Sequence, residues 1–390
     1  MIPITKAIFD ETDLALIQEP LKSGWVVQGP FVKEFERLFC ELSGAEHSLA
    51  TTSCTTALHI AMAALGVGPG DEVLVPAFTW IATANCVEYL GATPVFVDID
   101  LRTFNVDPAK IEEKITPRTR GIIPVHMFGL LADMAPVMEI ARRHGLFVVE
   151  DAACAFDSWY RGRHAGTFGE FGAFSFHPRK AITTGEGGML TTASPERAAL
   201  ASSLRDHGAS RSDFQRHSQK ASFLLAEYPH LGFNFRMTDI QGALGVAQMR
   251  KAAAIMAGRR EAAERYDALL ADVPWLRLPF RHPDYVHGYQ SYVCLFEPEN
   301  ASLERVDEAG ERRNALMTEL EEQGIITRQG THSAAHTAFY ARKYGITPEH
   351  YPNAYVAEKM SLTLPLYAGM TEEEQRTVAD ALAGAGARAG

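Results

Sequence analysis

Cysteine is scarce in this sequence. Five cysteines occur among 390 residues, their number is odd, and no two of them are separated by only two residues. A disulfide framework or a structural zinc site normally requires cysteines in pairs at short, regular spacings. The sequence therefore predicts reduced thiols and a cytoplasmic protein.

Long apolar runs and basic clusters are also missing. No stretch approaches the ~18 consecutive apolar residues typical of a membrane-spanning helix, and the first residues lack the basic and apolar segments of a signal peptide. Lysine and arginine number 37 against 48 aspartates and glutamates, which gives a net charge of −11. These absences argue against a membrane protein and against binding to nucleic acid or to an anionic membrane surface.

Short apolar runs alternate with helical patterns over the first two thirds of the chain. The runs are almost continuously apolar, as expected for strands buried on both faces of a parallel sheet, and they lie at 72–75, 94–97, 121–125 and 146–149. Helix candidates lie between them, near 79–90, 108–115 and 131–144. The alternation predicts an α/β fold with a mostly parallel sheet and helices on both faces.

The remaining third of the chain predicts a smaller α+β domain. A long loop at 206–230 and a long helix at 238–270 are predicted before it, and its own predicted elements are a strand near 289–296 and a helix near 311–323. The last helix begins at a capping box, Thr371-Glu-Glu-Glu374. We therefore expect a large domain over residues 1–250 and a small C-terminal domain over residues 251–390.

A lysine before a glycine-rich turn is the first candidate for chemistry. The segment Ser175-Phe-His-Pro-Arg-Lys180 is followed by Ala-Ile-Thr-Thr-Gly-Glu-Gly-Gly188. A single lysine is usually a solvated surface residue, but this one stands among apolar, small and turn-forming residues. Burial lowers the pKa of a lysine and frees its amine to attack an aldehyde, so Lys180 is a candidate nucleophile.

An acidic pair, Glu150 and Asp151, stands where a predicted buried strand ends. Active sites of open α/β sheets lie at the carboxyl ends of the strands. Asp151 could simply cap a helix. Its functional alternative is to pair with the nitrogen of a pyridinium ring and keep that nitrogen protonated.

Two further segments have the composition of a site for a flat, phosphorylated cofactor. Small hydroxyl residues in Thr51-Thr-Ser-Cys-Thr55-Thr56 open an apolar helix, and a helix N-terminus with free N–H groups binds phosphate. Serine and threonine also cap many helices that bind no ligand. Trp80 follows a predicted strand, where its ring could stack on a cofactor or belong to the ordinary core.

Together and in this order, these motifs resemble those of the DegT/DnrJ/EryC1/StrS family of nucleotide-sugar aminotransferases, which are fold-type I enzymes that use pyridoxal 5′-phosphate (PLP). The similarity runs from Gly24-Trp-Val-Val-Gln-Gly29 to Ser361-Leu-Thr-Leu-Pro-Leu366. The resemblance implies the fold-type I architecture and an aminotransferase that acts on a nucleotide sugar, with L-glutamate as the expected donor.

The resemblance also implies roles for individual residues. Lys180 would hold PLP as a Schiff base and later move protons as a general acid and base. Asp151 would hold the ring nitrogen and Trp80 would stack on the ring. The residues that would bind the phosphate are Thr55, Thr56 and Ser175.

Two positions bear on assembly and on departures from the family. Asn234, in Gly232-Phe-Asn-Phe-Arg-Met237, matches an asparagine that reaches the phosphate from the neighbouring subunit, which implies a homodimer with shared active sites. Cys154 stands at a cofactor-contacting position where many members carry glutamine or histidine, and a thiol is a weak hydrogen-bond donor.

The segment from Ser175 to Gly188 bears on which sugar carbon receives the amine. Members that aminate C3 tend to read Ser-Phe-Tyr-Pro-x-Lys-Asn-Leu-Gly, whereas this segment looks more like that of the C4 enzymes. The resemblance therefore favours amination at C4 of a nucleotide-linked 4-keto-6-deoxy sugar. Amination at C3 or of a cyclic ketone stays open, as does a catalytically silent regulatory protein on the same fold.

Two other motifs do not support a different class of protein. Gly66-Val-Gly-Pro-Gly70 precedes a strand and opens no helix, so it is read as a turn and not as a dinucleotide fingerprint. His332 and His336 are four residues apart, but no third ligand accompanies them, so no metal site is predicted. By resemblance, His332 lies near the sugar–nucleotide cleft and is expected to contact the substrate.

Overall fold

A computed structural model describes residues 1–210 and 226–389. The strands of the larger part are β1 (His47–Thr51), β2 (Glu72–Pro76), β3 (Thr93–Val97), β4 (Thr119–Ile122), β5 (Phe147–Asp151), β6 (Trp159–Tyr160), β7 (Arg163–His164), β8 (Phe171–Ser175) and β9 (Gly188–Thr192). Its helices are α1 (Glu11–Ser23), α2 (Pro30–Ser43), α3 (Cys54–Ala64), α4 (Ala82–Glu88), α5 (Met134–His144), α6 (Pro195–Arg205) and α7 (Asp239–Arg250).

The C-terminal part follows directly. Its strands are β10 (Leu276–Arg277), β11 (Tyr285–Val286), β12 (Tyr292–Phe296) and β13 (Ser361–Leu364). Its helices are α8 (Ala252–Leu269), α9 (Val306–Glu322), α10 (Ala338–Tyr344), α11 (Pro352–Met360) and α12 (Glu372–Ala389).

A seven-stranded sheet in the order β1-β9-β8-β5-β4-β2-β3 organises the larger part of the chain. The five strands from β8 to β3 are parallel to one another, while β9 runs antiparallel to both β8 and β1. The mostly parallel sheet is therefore confirmed. Neither β1 nor β9 was predicted, because both include polar residues, such as Ser48 and Thr191, that interrupt the apolar run.

The central strands are buried on both faces. Val73 and Val75 of β2 join one core cluster with Leu58 of α3. Leu74, the residue between them, points to the other face and packs in a second cluster with Phe35 of α2. Because successive side chains of a strand alternate between faces, a sheet covered on both sides needs the continuous apolar runs seen in the sequence.

Two predicted helices differ in the structure. The stretch near 108–115 forms two short 3₁₀ turns, Pro108–Lys110 and Glu112–Lys114, and Pro117 disfavours helical geometry in the residue before it. The predicted helix at 238–270 is interrupted at Lys251. The Lys251 ammonium pairs with Asp10 at 3.0 Å and with Asp13, so a long-range contact holds the chain at the interruption.

The C-terminal part contains an antiparallel sheet in the order β10-β12-β13. Its core combines Tyr292 and Leu364 of the sheet with Tyr266 of α8 and Leu320 of α9. The predicted capping box is present, because the Glu374 carboxylate accepts the N–H of Thr371 at 2.8 Å and the Thr371 hydroxyl accepts in return.

The chain start lies against the C-terminal part, where Ile2 pairs with Ile325 in a β-bridge, and the division into 1–250 and 251–390 stays a prediction. The loop expected at 206–230 falls mostly on 211–225, which lie outside the described residues. Among the helices that the structure describes, none combines the length and apolar character needed to cross a membrane.

Candidate active site

The carboxyl ends of the central parallel strands open into a cavity of about 890 Å³. Its walls come from the turns after these strands, from the N-terminus of α3 and from the C-terminal segment around β13. Of the residues singled out in the sequence, those that line it are Thr55, Trp80, Asp151, Cys154, Ser175, Lys180 and His332. The fold thus brings together residues separated by up to about two thirds of the chain.

Lys180 lies at the end of a turn that follows β8. Its main-chain N–H donates to the carbonyl of His177 at 2.8 Å, and its Nζ lies 3.1 Å from Sγ of Cys154. Burial lowers the pKa of Lys180, but Cys154, Cys54 and Asp151 outweigh burial and raise that pKa above its ordinary value. The expectation of a lowered pKa was therefore wrong, because neighbouring acidic groups and not burial decide it.

Asp151 ends β5 and is oriented by donors from three segments. The Thr83 hydroxyl donates to Oδ2 at 2.7 Å, the Ala153 N–H donates to Oδ1 at 3.1 Å, and Sγ of Cys54 lies 3.9 Å from Oδ1. Burial and the neighbouring Asp151 raise the pKa of the Cys54 thiol well above its usual range. No helix begins after Asp151, so the alternative of a simple helix cap does not apply.

The N-terminus of α3 forms another wall of the cavity. The Ser53 hydroxyl accepts the N–H of Thr56 at 3.2 Å, and the Thr56 hydroxyl accepts the N–H of Ser53 at 3.0 Å. This capping box engages both the Ser53 and the Thr56 hydroxyl. Ser53 and Thr55 line the cavity and Thr56 does not, and the assignment of Thr56 to the phosphate stays a prediction.

A glycine lets the sheet approach this helix end closely. A Cβ at Gly188, the first residue of β9, would lie 2.3 Å from the carbonyl carbon of Ser53, a distance no side chain tolerates. Ser175 ends the neighbouring strand β8 and also lines the cavity. Strand ends and helix N-terminus therefore present hydroxyl and N–H groups together, which is the composition of a phosphate site.

Trp80 is not part of the ordinary core. Its side chain is 58% exposed, it lines the cavity, and its ring centroid lies 5.8 Å from that of His332. The neighbouring N–H of Thr79 donates to the His332 carbonyl at 3.1 Å, so the two segments are tied at the main chain. The indole face is therefore available to a flat ligand.

His336, the second histidine of the pair, is held by hydrogen-bonding contacts within the protein. The ring of His336 contacts the Ser333 hydroxyl at 2.6 Å and the Thr347 carbonyl at 3.0 Å. Within residues 1–210 and 226–389, no group of three or more side chains of the metal-binding types is arranged to hold a metal ion.

Asn234 lies apart from the cavity of its own chain. It pairs with Asp206 in an isolated antiparallel bridge, its side chain is exposed, and it is absent from the cavity lining. The geometry is compatible with a contact to another subunit, and that role stays a prediction.

Several lining or supporting residues were missed by sequence reasoning. Thr83 orients Asp151 from α4, while Arg179, Asn314 and Arg328 line the cavity from three distant segments. Arg179 had a signal, its position beside Lys180. The others had none, because a threonine in a helix or an arginine near a strand is common in any enzyme.

The donor set fits one kind of cofactor. An amine can bind an aldehyde covalently, a buried carboxylate can hold a proton on a ring nitrogen, a helix N-terminus with hydroxyl groups can hold a phosphate, and an exposed indole can cover a flat ring. Lys180, Asp151, Thr55, Ser175 and Trp80 supply these groups within one cavity. PLP has the matching aldehyde, pyridine nitrogen, phosphate and flat ring.

Comparison with known proteins agrees with this geometry. The sequence profile of the DegT/DnrJ/EryC1/StrS aminotransferase family matches residues 7–383. The spore coat polysaccharide biosynthesis protein SpsC of Bacillus subtilis (strain 168) is 38% identical over 384 residues, which cover 98% of this chain and 96% of SpsC. The GDP-perosamine synthase of Caulobacter vibrioides is 38% identical over 388 residues, 98% of this chain and 97% of that enzyme.

Among solved structures, the PLP form of the sugar aminotransferase Spr1654 from Streptococcus pneumoniae superposes with a TM-score of 0.90. The two sequences are 28% identical, and the match covers 99% of each chain.

The chain is therefore a fold-type I, PLP-dependent sugar aminotransferase. It belongs to the DegT/DnrJ/EryC1/StrS aminotransferase family. The predictions of the family, the fold class, the enzyme class and the cofactor are confirmed, and the alternative of a catalytically silent protein is set aside.

Proposed function

We propose that this aminotransferase moves the amino group of L-glutamate to C4 of a 4-keto-6-deoxy sugar linked to a nucleotide. The observation that carries the C4 assignment is the segment from Ser175 to Gly188, which resembles that of C4 enzymes and lies directly at the cavity that holds Lys180. The names of the relatives from B. subtilis and C. vibrioides support a nucleotide sugar as acceptor and an amino sugar for polysaccharide as product.

PLP, when bound, supplies the electron sink for proton transfer at the reacting carbon. Lys180 anchors it covalently and, once released by the incoming substrate, carries a proton to and from the reacting carbon on Nζ. Asp151, held by Thr83 and Ala153, keeps a proton on the ring nitrogen. Lys180 thus transfers the proton of the reacting carbon, whereas Asp151 keeps the proton of the ring nitrogen in place.

The remaining lining residues position and shield the reacting groups. Thr55, Ser175 and the N-terminus of α3 would hold the phosphate, and Trp80 would cover one face of the ring and exclude water from it. Cys154, 3.1 Å from Lys180 Nζ, would set the position from which the amine acts. His332, beside Trp80, would contact the sugar substrate.

The assembly is part of the proposal. We expect a homodimer in which Asn234 of one subunit reaches the phosphate in the other, because Asn234 is exposed and absent from its own cavity. Each site would then be built from two chains.

The position of the ketone decides between C4 and C3 amination. The reacting carbon must lie within reach of Lys180 in near-attack geometry, and moving the ketone by one ring carbon requires the whole sugar to rotate or slide. The nucleotide acts as a remote handle whose binding energy maintains one pose. One pocket should therefore strongly prefer one regioisomer.

The test supplies the enzyme and glutamate with a 4-keto-6-deoxy and a 3-keto-6-deoxy nucleotide sugar, separately and together, and locates the new amine by NMR. We expect an amine at C4 only, and none with the Lys180→Ala variant. Turnover of only the 3-keto sugar, or only of an inosose supplied in a parallel reaction, would replace the C4 assignment and leave the enzyme class intact.

A further inference from the structure

Two arginines line the cavity without a carboxylate partner among residues 1–210 and 226–389. Arg179 lies in the turn that carries Lys180, and Arg328 lies on the segment that pairs with β13. Arg205, by contrast, has such a partner in Glu36 at 2.6 Å. Both side chains are exposed, so an anionic ligand that enters the cavity can reach the two cations of Arg179 and Arg328 and supply the negative charge.

Both arginines are anchored at the main chain, so their side chains start from defined positions. The Arg179 N–H donates to Nδ1 of His177 at 3.2 Å, and its carbonyl accepts from Nε2 of Gln290 at 3.0 Å. Arg328 and Thr363 exchange two main-chain hydrogen bonds, of 3.2 and 2.7 Å. The two guanidinium groups therefore approach the cavity from the two parts of the chain.

The charges of the two arginines influence each other. Burial lowers the pKa of Arg179, and the positive charge of Arg328 lowers it further. A guanidinium nevertheless stays protonated at neutral pH, so the two groups repel one another. Glu186 also lines the cavity but forms no ion pair with either arginine in the part of the chain that the structure describes.

Asn314 adds a neutral donor to the same wall. Nε of the fully buried Arg313 lies 3.0 Å from the side-chain oxygen of Asn314. An arginine can only donate, so the atom that it contacts must be the amide oxygen. The amide nitrogen of Asn314 is thereby the group that can donate a hydrogen bond to a ligand in the cavity.

We propose that Arg179, Arg328 and Asn314 form one anion subsite that both substrates use in turn, binding the carboxylates of the amino donor and then the diphosphate of the nucleotide sugar. Two substrates that must both reach the one cofactor that Lys180 would hold enter the same cavity in turn, and each carries two anionic groups. Planar guanidinium groups match carboxylate and phosphate geometry equally well. The inference rests on the proposed function for the identity of the two substrates.

The experiment measures binding of two unreactive anions to the PLP-loaded enzyme by calorimetry. Glutarate stands in for the donor because it has two carboxylates and no amine, and inorganic pyrophosphate stands in for the nucleotide. The variants are Arg179→Met and Arg328→Met. Arg328→Lys is a conservative variant that keeps the positive charge but loses the planar guanidinium group and its paired N–H donors. The matched control is Arg342→Met on α10, an exposed arginine absent from the cavity lining.

We expect each methionine variant to bind both probes at least about tenfold more weakly, as the loss of a charge-assisted hydrogen bond implies. Arg328→Lys should fall between, and Arg342→Met should match the wild type, with unchanged thermal unfolding throughout. Weakening for only one probe, or for neither, would overturn the shared subsite. The NMR assay of regiochemistry is independent: a failure of C4 amination leaves these affinities unaffected, and unchanged affinities leave C4 amination standing.

Discussion

The sharpest test of the site is the substitution Asp151→Asn, because the surroundings of Asp151 can accept an amide. The carboxylate receives hydrogen bonds from the Thr83 hydroxyl at 2.7 Å and from the Ala153 N–H at 3.1 Å. An asparagine oxygen can keep the bond from Ala153, and its NH₂ can donate to Thr83 because a hydroxyl both donates and accepts. No buried polar group is then left without a partner.

The cost in stability should therefore be small. Only the extra strength of a hydrogen bond to a charged acceptor is lost, about 1–2 kcal/mol. The cost would be larger if the Thr83 hydroxyl were left buried without a hydrogen-bond partner. The catalytic cost should be large, because a neutral amide cannot balance the charge of a protonated ring nitrogen. A loss of at least ~100-fold in transamination corresponds to about 2.7 kcal/mol of transition-state stabilisation.

The assay follows the reaction with glutamate by the change in cofactor absorbance in single-turnover mixing, together with thermal unfolding and cofactor content. Asp98→Asn is the matched control, since Asp98 is also buried and accepts main-chain N–H groups at 3.2 and 2.9 Å but lies outside the cavity lining. It should lose stability without losing rate per folded molecule. A near-wild-type rate for Asp151→Asn with full cofactor content would refute the role of Asp151.

Three other predictions concern attachment, assembly and pH. Borohydride reduction followed by peptide mapping should place the pyridoxyl group on Lys180, and label on another lysine would exclude this assignment. Mixing Lys180→Ala chains with Asn234→Ala chains should restore activity, because in a heterodimer with shared sites one site collects both lesions and the other neither; heterodimers that form without activity would place Asn234 outside the shared site. The pKa of His287 is lowered to about 3 by burial and then by the charges of Arg281 and Arg260, and its Nδ1 accepts the N–H of Tyr289 at 2.8 Å. Below about pH 6.5 the His287 imidazole therefore binds a proton in the unfolded chain but not in the folded one. The free energy of unfolding should fall as the pH drops below about 6.5, by up to about 1.4 kcal/mol per pH unit from this group. Urea titrations between pH 7 and 4 should show a shallower loss for His287→Gln, and equal slopes would contradict the reasoning.

The position of the site was predictable because of how parallel sheets are built. Carboxyl ends of parallel strands meet at one edge, so residues that follow predicted strands, such as Trp80 and Asp151, could be expected near Lys180. Local signals also sufficed for the final helix, where Thr371 and Glu374 cap each other. In each case the sequence signal lies within a few residues along the chain.

Thr56 shows how one local pattern allows two interpretations. A phosphate site and a helix cap both require a hydroxyl at a helix N-terminus, so the same run of threonines predicts either. In the structure Thr56 completes a capping box with Ser53, while Thr55 lines the cavity. Which side of a helix turn a hydroxyl takes depends on the surface against which the helix packs.

By itself, the sequence determined the alternation of elements and the parallel sheet, and its resemblance to a known family determined the cofactor and the enzyme class. Only the tertiary structure decided that Thr83 orients Asp151 across 68 positions of the chain and that Arg179 and Arg328 share one cavity wall. The same is true of the Lys180 pKa, which neighbours and not burial raise. The physical reason is that periodicity and strand-end position are encoded locally, whereas the electrostatic surroundings of a group depend on which distant segments the fold places beside it.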